Sequence, residues 1–350
     1  MAEIKRKTTQ LKELFERPDI FVLAGGTNPL FARMAEIAGF EAFYMSGGNT
    51  SAHLLGWPDV GVTTMRDIVD NARRIVMAVN IPVFSDADTG YGNAVQVYRT
   101  VQEFIAAGVA GIHLEDQESP KKSGSMAGRR CISVEEMVGK LRAAMDAKQE
   151  MDPDFVICAR CDFRGAEGGS FAGAVERCVI YKEEAGVDVV FPEGLQTWEE
   201  VQEACQRIPG PVLPLLHPTV IDPFPTLEQQ EAAGCAAAFF PSLTIMAGLQ
   251  ASWDFLHDFK DRGTLALDEF RAQAARSKWG EVTNNRVTNL RRVREMEERY
   301  LPQELQRDYE VHWEYRHSNR CWGTTEEGSW VKLAQSGISS ATYCILSVRR

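Results

Sequence analysis

The chain has 350 residues, 44% of them hydrophobic, and a formal net charge of −11. That length and apolar content can bury the core of one large domain, and the acidic balance argues against nucleic acid, which needs basic surface. Residues 1–17 are charged and helix-like with no apolar signal region, and no apolar run approaches a membrane span, so a cytoplasmic protein without a membrane partner is expected.

Short apolar runs then alternate with longer helical patterns. The runs are residues 21–24, 42–45, 81–84, 111–114, 155–158, 187–191, 212–216 and 236–240, eight in all. Helical stretches between them include 64–79, 94–107, 133–148 and 173–185, and Gly39, Gly108, Gly186 and Gly234 stand where C-caps are expected. Eight β-α units predict an α/β fold, a (β/α)₈ TIM barrel, whose active site lies at the C-terminal ends of the strands. Polar residues collect there: Gly25-Gly26-Thr27-Asn28, Ser46-Gly47-Gly48-Asn49, Asp86 and Asp88, Glu115 and Asp116, Arg160 and Asp162, Glu193, His217 and Ser242. An open doubly wound sheet would not explain polar ends on all eight strands. The expected organisation is a barrel over 1–260, a helical extension over 261–308 and a tail over 309–350. Residues 265–300 have helical spacing and a long apolar face, which either packs on a neighbouring subunit or lies over the barrel bottom. The tail holds Trp313, Tyr315, Trp322, Trp330 and Tyr343 but no readable motif.

The eight cysteines are scattered and read as reduced thiols. Cys158-Ala159-Arg160-Cys161 has CxxC spacing but begins inside an apolar run and lacks a second Cys or His pair, so zinc is not expected. The acidic residues are more informative. Asp86, Asp88, Glu115 and Asp116 close two consecutive apolar runs beside glycines. Oxygen donors at that density suit a hard cation, Mg²⁺ or Mn²⁺. One such acid alone would more simply cap a helix or pair with a Lys or Arg.

These residues carry a resemblance. Tyr44-Met45-Ser46-Gly47-Gly48, Pro58-Asp59, Asp86-Ala87-Asp88-Thr89-Gly90-Tyr91-Gly92, Glu115-Asp116-Gln117 with Pro120-Lys121-Lys122, and Ala159-Arg160-Cys161-Asp162, in this order, resemble the isocitrate lyase/phosphoenolpyruvate mutase superfamily. The resemblance covers roughly residues 21–248. It implies a (β/α)₈ barrel, helix-swapped between subunits of a homo-oligomer (a dimer of dimers, hence a homotetramer), and use of Mg²⁺. It also implies cleavage of a bond next to a 2-oxo or 2-hydroxy acid through an enolate, which a metal stabilises as a Lewis acid. By resemblance Asp88 is the direct metal ligand and Asp86 and Glu115 hold metal-bound waters. Asp59 lies nearby in a catalytic position, its alternative being a turn residue after Pro58. Backbone N–H groups at Ser46, Gly47 and Gly48 cradle the substrate carboxylate, Tyr44 adds a hydroxyl, and Arg160 pairs with a second carboxylate or phosphonyl group. Glu193 joins the substrate set, or pairs with Arg160 as Asp162 would. Without the resemblance, Gly47-Gly48 reads as a flexible turn.

Two positions depart from the family pattern. The lyase branch has a K-[KR]-C-G-H loop with a cysteine general acid/base, and the mutase branch has K-[KT]-N-S. This chain has Lys121-Lys122-Ser123-Gly124-Ser125. Ser123 stands at the cysteine, and a serine hydroxyl needs an activating neighbour, for which Lys122 is the candidate in the loop. A solvated gate without chemistry, or a cradle for an anionic group, is the alternative. His217 stands where lyase and hydrolase members usually show Asn; it reads as a substitute acid/base or as a hydrogen-bond donor to substrate. The leading expectation is a Mg²⁺-dependent (Mn²⁺ also suits) lyase or hydrolase cleaving a C–C bond in a small di- or tricarboxylate resembling methylisocitrate, dimethylmalate or oxaloacetate. The alternatives are a P–C enzyme (a phosphoenolpyruvate phosphonomutase or phosphonopyruvate hydrolase) and a non-catalytic carboxylate-binding homologue.

Overall fold

The computed structural model describes residues 5–307, 322–324 and 330–332. It divides after Asp261 into two compact units. In the first unit the elements run α1 (Lys7–Glu16), β1 (Phe21–Gly26), α2 (Pro29–Ala38), β2 (Ala42–Met45), α3 (Gly47–Leu55), α4 (Met65–Ala78), β3 (Val83–Asp86), α5 (Ala94–Ala106), β4 (Gly111–Glu115), α6 (Val134–Met151), β5 (Val156–Cys161), α7 (Phe171–Ala185), β6 (Val189–Pro192), α8 (Trp198–Arg207), α9 (Leu227–Ala232), β7 (Ala237–Phe240) and α10 (Leu243–Arg262). The helix starts follow from side-chain caps. Thr64 and Asp67, and Asn93 and Gln96, form capping boxes at α4 and α5, and Ser133, Ser170 and Thr197 cap α6, α7 and α8. Gly39 and Gly186 end α2 and α7 in the left-handed conformation.

The seven strands of this unit pair in parallel, in the order β6-β5-β4-β3-β2-β1-β7. The eighth position of the barrel is a single bridging residue. Val212 pairs with Val190 on one side and Cys235 on the other. Leu213 N–H donates to Val190 O at 2.8 Å, and Ala236 N–H to Val212 O at 2.8 Å. The run 212–216, expected as a full strand, therefore closes the barrel without forming a ladder. The reason is local: Pro211 and Pro214 flank the bridge, and proline has no N–H to donate.

Strand alternation sorts the apolar residues into two clusters. Outward-facing residues such as Phe43, Ile112, Ile157 and Val190 pack under the helices with Ile75, Phe104, Leu141 and Tyr181. Inward-facing residues fill the barrel: Phe21, Leu23, Ala42, Tyr44, Phe84, Val156, Cys158, Val189, Phe191, Leu213, Ala237 and Phe239. Leu11 and Phe15 of α1 belong to this inner cluster and are buried, so α1 plugs one end of the barrel. Cys158 and Cys161 are buried free thiols.

In the second unit, residues 265–300 do not make one long helix. They form α11 (Thr264–Ala274), α12 (Asn284–Val287) and α13 (Leu290–Tyr300), with an interruption that includes Gly280 at φ 81°. Trp322–Thr324 and Trp330–Lys332 form a short antiparallel pair, β8 and β9. Trp313, Tyr315 and Tyr343 lie outside the described residues. Among the described residues no helix is long and apolar enough to cross a membrane.

Candidate active site

The alternation that fills the barrel also builds its mouth. Continuing each inward-facing series one step past the apolar layer gives Ser46 after Tyr44, Asp86 after Phe84, Glu115 after His113, Arg160 after Cys158, Glu193 after Phe191 and His217 after Leu215. Six polar side chains, from five strands and the bridging segment, thus meet at the C-terminal end, where this architecture places its chemistry. All of them but Glu115 line a cavity of about 370 Å³, also lined by Tyr44, Gly48, Asp59, Ser123, Gly124, Ser125 and, on its apolar side, Leu215, Phe239, Phe240 and Met246.

Asp86 is buried against the start of α3. Gly47 N–H donates to its Oδ2 at 3.2 Å and Asp88 N–H to its Oδ1 at 2.8 Å. No side chain fits at Gly47 or Gly48. A Cβ at Gly47 would lie 2.5 Å from Asp86 Oδ2, and one at Gly48 would lie 2.6 Å from Asp59 Oδ2. These glycines are close-approach positions, not a flexible turn. Asp88 has φ 46°, a conformation non-glycine residues adopt rarely and keep only when their surroundings enforce it.

The buried Lys121 reaches across the acids, with Nζ 2.5 Å from Asp59 Oδ1 and 2.9 Å from Asp88 Oδ1. Burial alone would lower this ammonium's pKa, but Glu115, Asp88, Asp86 and Asp59 together raise it well above its ordinary value. Burial raises Asp88 to about 6 against the pull of Lys121. Asp86, equally buried, is held at about 2 by the positive charges around it and the Asp88 N–H. Glu115 is raised well above the usual carboxylate range by burial. Below this layer, His113 Nε2 meets the Tyr44 hydroxyl at 2.7 Å, and burial lowers the imidazole to about 4, so it is neutral at pH 7.

Arg160 spends its fork inside the protein. Nε donates to Asp162 Oδ2 at 2.9 Å and Nη2 to Asp162 Oδ1 at 3.0 Å, leaving Nη1 3.5 Å from Glu115 Oε2. The guanidinium lies 5.1 Å over the Phe191 ring. Arg129 Nη1 pairs with the same Asp162 at 3.0 Å. His217 Nε2 lies 3.6 Å from Glu193 Oε1, an ion-pair contact too long for a well-formed hydrogen bond. Glu193 raises the His217 pKa and thereby favours imidazolium.

The loop over the mouth is tied down at Ser123, whose N–H donates to Asp59 O at 2.9 Å. Gly124 packs against Glu193 and Arg160 so closely that a Cβ would fall 2.3 Å from Glu193 Oε1. Ser123 Oγ pairs with Ser125 Oγ at 3.2 Å. Lys122 does not join them; its Nζ donates to Gly128 O at 3.2 Å and the side chain is exposed. The structure therefore brings together Tyr44, Ser46, Gly48, Asp59, Asp86, Ser123, Arg160, Glu193 and His217 around the cavity, with Gly47, Asp88 and Glu115 directly behind them, and leaves Lys122 outside. Lys121, His113 and Arg129 are site residues to which the sequence assigned no role, whereas Asp162 pairs with Arg160 as one of the expected alternatives had it. A lysine pair in an irregular loop has no period by which to tell which member turns inward. Asp116 faces the helix layer instead. It accepts from Tyr181 Oη at 2.8 Å, Arg177 Nη1 at 3.2 Å and Asp162 N–H at 2.8 Å.

The donor set suits a hard divalent cation. Both carboxylate oxygens of Glu115 are buried without a hydrogen-bond partner, Oδ1 of Asp88 has only the Lys121 ammonium beside it, and all nearby acceptors are oxygens, as Mg²⁺ prefers. No three His, Cys, Asp or Glu side chains converge tightly enough to cage an ion among the described residues.

Comparison with known proteins agrees with this geometry. The family model of phosphoenolpyruvate phosphomutases matches residues 11–255. A 2-methylisocitrate lyase of Aeropyrum pernix is 41% identical over 261 residues, covering 75% of this chain and 82% of that one. A 2,3-dimethylmalate lyase of Eubacterium barkeri is 39% identical over 287 residues, covering 80% and 98%. A phosphonopyruvate hydrolase solved with oxalate and Mg²⁺ superimposes with a TM-score of 0.70 at 28% identity, covering 85% of this chain and all of the other.

Proposed function

The chain belongs to the phosphoenolpyruvate phosphomutase family and is a carbon–carbon lyase or hydrolase of the isocitrate lyase/phosphoenolpyruvate mutase superfamily, and we propose that it cleaves a small 2-oxo or 2-hydroxy di- or tricarboxylate with Mg²⁺. One observation carries the reading: the buried carboxylates of Asp86, Asp88 and Glu115 lie together by Arg160 and the N-terminus of α3, and both oxygens of Glu115 lack a hydrogen-bond partner.

Asp88 would hold the cation directly, with Asp86 and Glu115 holding its waters. Mg²⁺, when bound, supplies the Lewis acidity that stabilises an enolate. The substrate carboxylate is received at the start of α3, where unpaired N–H groups and the helix dipole favour an anion. Gly47 N–H is already given to Asp86, so Gly48 and Asn49 are the donors the cradle has left. The Tyr44 hydroxyl, oriented by neutral His113, faces the same end of the cavity. Arg160 offers one edge, Nη1, to a second anionic group, since Asp162 takes the other. Ser123 Oγ is hydrogen-bonded to the neighbouring Ser125 hydroxyl, and the Lys122 ammonium is turned to Gly128 O instead. His217, biased towards its charged form by Glu193, is the better-placed proton donor for the departing fragment.

The apolar wall formed by Leu215, Phe239, Phe240 and Met246 supports a substrate with an aliphatic branch, as in dimethylmalate or methylisocitrate. A panel of 2-oxo and 2-hydroxy acids assayed for pyruvate or oxalate release with Mg²⁺ tests this. Turnover of a branched malate or isocitrate is expected, and turnover only of phosphonates, followed by ³¹P NMR, would overturn it. The loop's lack of cysteine favours that second, P–C reading, and its lack of the mutase branch's asparagine counts against it. We also infer a homo-oligomer. Met246, Leu249, Trp253, Leu256 and Phe259 form an apolar ridge along α10, each at least 41% exposed. Light scattering that finds a monomer at assay concentration would remove this inference.

A further inference from the structure

The turn that presents Asp88 is held from behind by groups the chemistry does not use. Three successive carbonyls are each taken by a donor from a different element. Asp88 O accepts from Glu115 N–H of β4 at 2.9 Å, Thr89 O from Lys140 Nζ of α6 at 3.2 Å, and Gly90 O from Thr100 Oγ1 of α5 at 3.0 Å. Gly90 N–H donates to Ala87 O at 2.9 Å, so the peptide between Thr89 and Gly90 is pinned at both ends. The turn needs such support, because Asp88 and Tyr91 both have positive φ, 46° and 61°. Each such residue costs about 1–3 kcal/mol and persists only where its surroundings enforce it.

Lys140 is the unusual member. It is 5% exposed and points from α6 into the interface with α5. Among the described residues no carboxylate lies within ion-pairing distance of its ammonium, and Glu136, one helical turn back, is exposed. Burial lowers its pKa, the response of an ammonium with little compensation. For packing alone an unbranched apolar side chain would serve this interface better, since a buried ammonium is costly to desolvate. What the lysine supplies, and such a side chain would not, is a donor for Thr89 O, one residue from Asp88. We propose that Lys140, with Thr100, is a positioning residue that fixes the Asp88 carboxylate for the divalent cation from the helix layer. This rests on the reading of Asp88 as the cation's direct ligand.

The test uses the full chain and reads Mn²⁺ binding by electron paramagnetic resonance alongside thermal unfolding without metal. Lys140→Met keeps length and shape but removes the donor. It is expected to leave the unfolding temperature unchanged or raised, and to weaken Mn²⁺ binding about 10- to 100-fold, the usual effect of losing a group that orients a ligand. Thr100→Val should weaken binding in the same direction and Thr100→Ser should restore it, since the serine retains the hydroxyl. Lys140→Met with a lowered unfolding temperature but wild-type Mn²⁺ affinity would make Lys140 merely structural and overturn the proposal. Asp88→Asn separates the two readings. If it binds Mn²⁺ like wild type, the ligand assignment fails. If it loses Mn²⁺ while Lys140→Met and Thr100→Val do not, the ligand assignment stands and only the positioning role falls.

Discussion

Replacing Gly47 by alanine adds a single methyl group at the centre of the acidic site. Its Cβ would lie 2.5 Å from Asp86 Oδ2, 2.7 Å from Cγ and 3.0 Å from Cβ, whereas ordinary contact begins at 3.4 Å. The obstacle is not the free end of a long side chain. Asp86 is 4% exposed, and its Oδ1 is fixed by the N–H of Asp88 at 2.8 Å. Gly47 does not have a positive φ, so alanine is conformationally acceptable there, and as a helical residue it would gain at most about 0.5–1 kcal/mol over glycine. Against that stand about 1–3 kcal/mol for overpacking and about 1.5–3 kcal/mol for a lost hydrogen bond to a charged group. The net expectation is about 2–5 kcal/mol of destabilisation, with Mg²⁺ affinity reduced about 10- to 100-fold as Asp86 is displaced. Urea denaturation and calorimetric Mg²⁺ titration measure both. Gly139→Ala is the control: it lies in α6 with nothing within 4 Å of its Cβ and should stabilise by about 0.4–1 kcal/mol. Wild-type stability and Mg²⁺ affinity in Gly47→Ala would refute the close-approach explanation.

Two further expectations follow from the charged groups. Asp162→Asn removes the anion shared by Arg160 and Arg129, both largely buried, and should cost about 3–5 kcal/mol in chemical denaturation; a loss under 1 kcal/mol would mean that the two guanidiniums find other partners. Because the folded His217 pKa lies above its unfolded value, its pairing with Glu193 stabilises fully at pH below about 6.5 and fades as pH rises through the raised folded pKa. If the charged form donates the proton, turnover should fall along the same limb, and His217→Asn should flatten it; a variant keeping full turnover and an unchanged pH profile would leave His217 no acid role.

Much of this site could be read from order and period. The apolar runs located the strands because parallel strands buried on both faces have continuous apolar sequences. Asp86, Glu115, Arg160 and Glu193 stood at their ends, where alternation carries the inward face past the last apolar layer. The limits are equally physical. Glu115 and Asp116 are neighbours, but alternation turns them to opposite faces, so one joins the acids behind the cavity and the other meets Tyr181 and Arg177. The run 212–216 looked as strand-like as the rest, yet the prolines beside its bridge cancel the ladder. In the loop over the mouth no period operates. Lys121 rather than Lys122 turns inward because buried carboxylates attract it, and those come together only in the folded barrel.

The plug made by Leu11 and Phe15 governs traffic as well as stability. With that end sealed, the substrate and both fragments share one doorway, past Ser123, Gly124 and His217. On the proposed reading, a fragment cut away beside His217 would leave first and a 2-oxo fragment seated against Asp86 would leave second. Steady-state kinetics should show that order: the deep fragment inhibits competitively against substrate and the outer fragment non-competitively. Reversed patterns would mean that the deep fragment has a second way out.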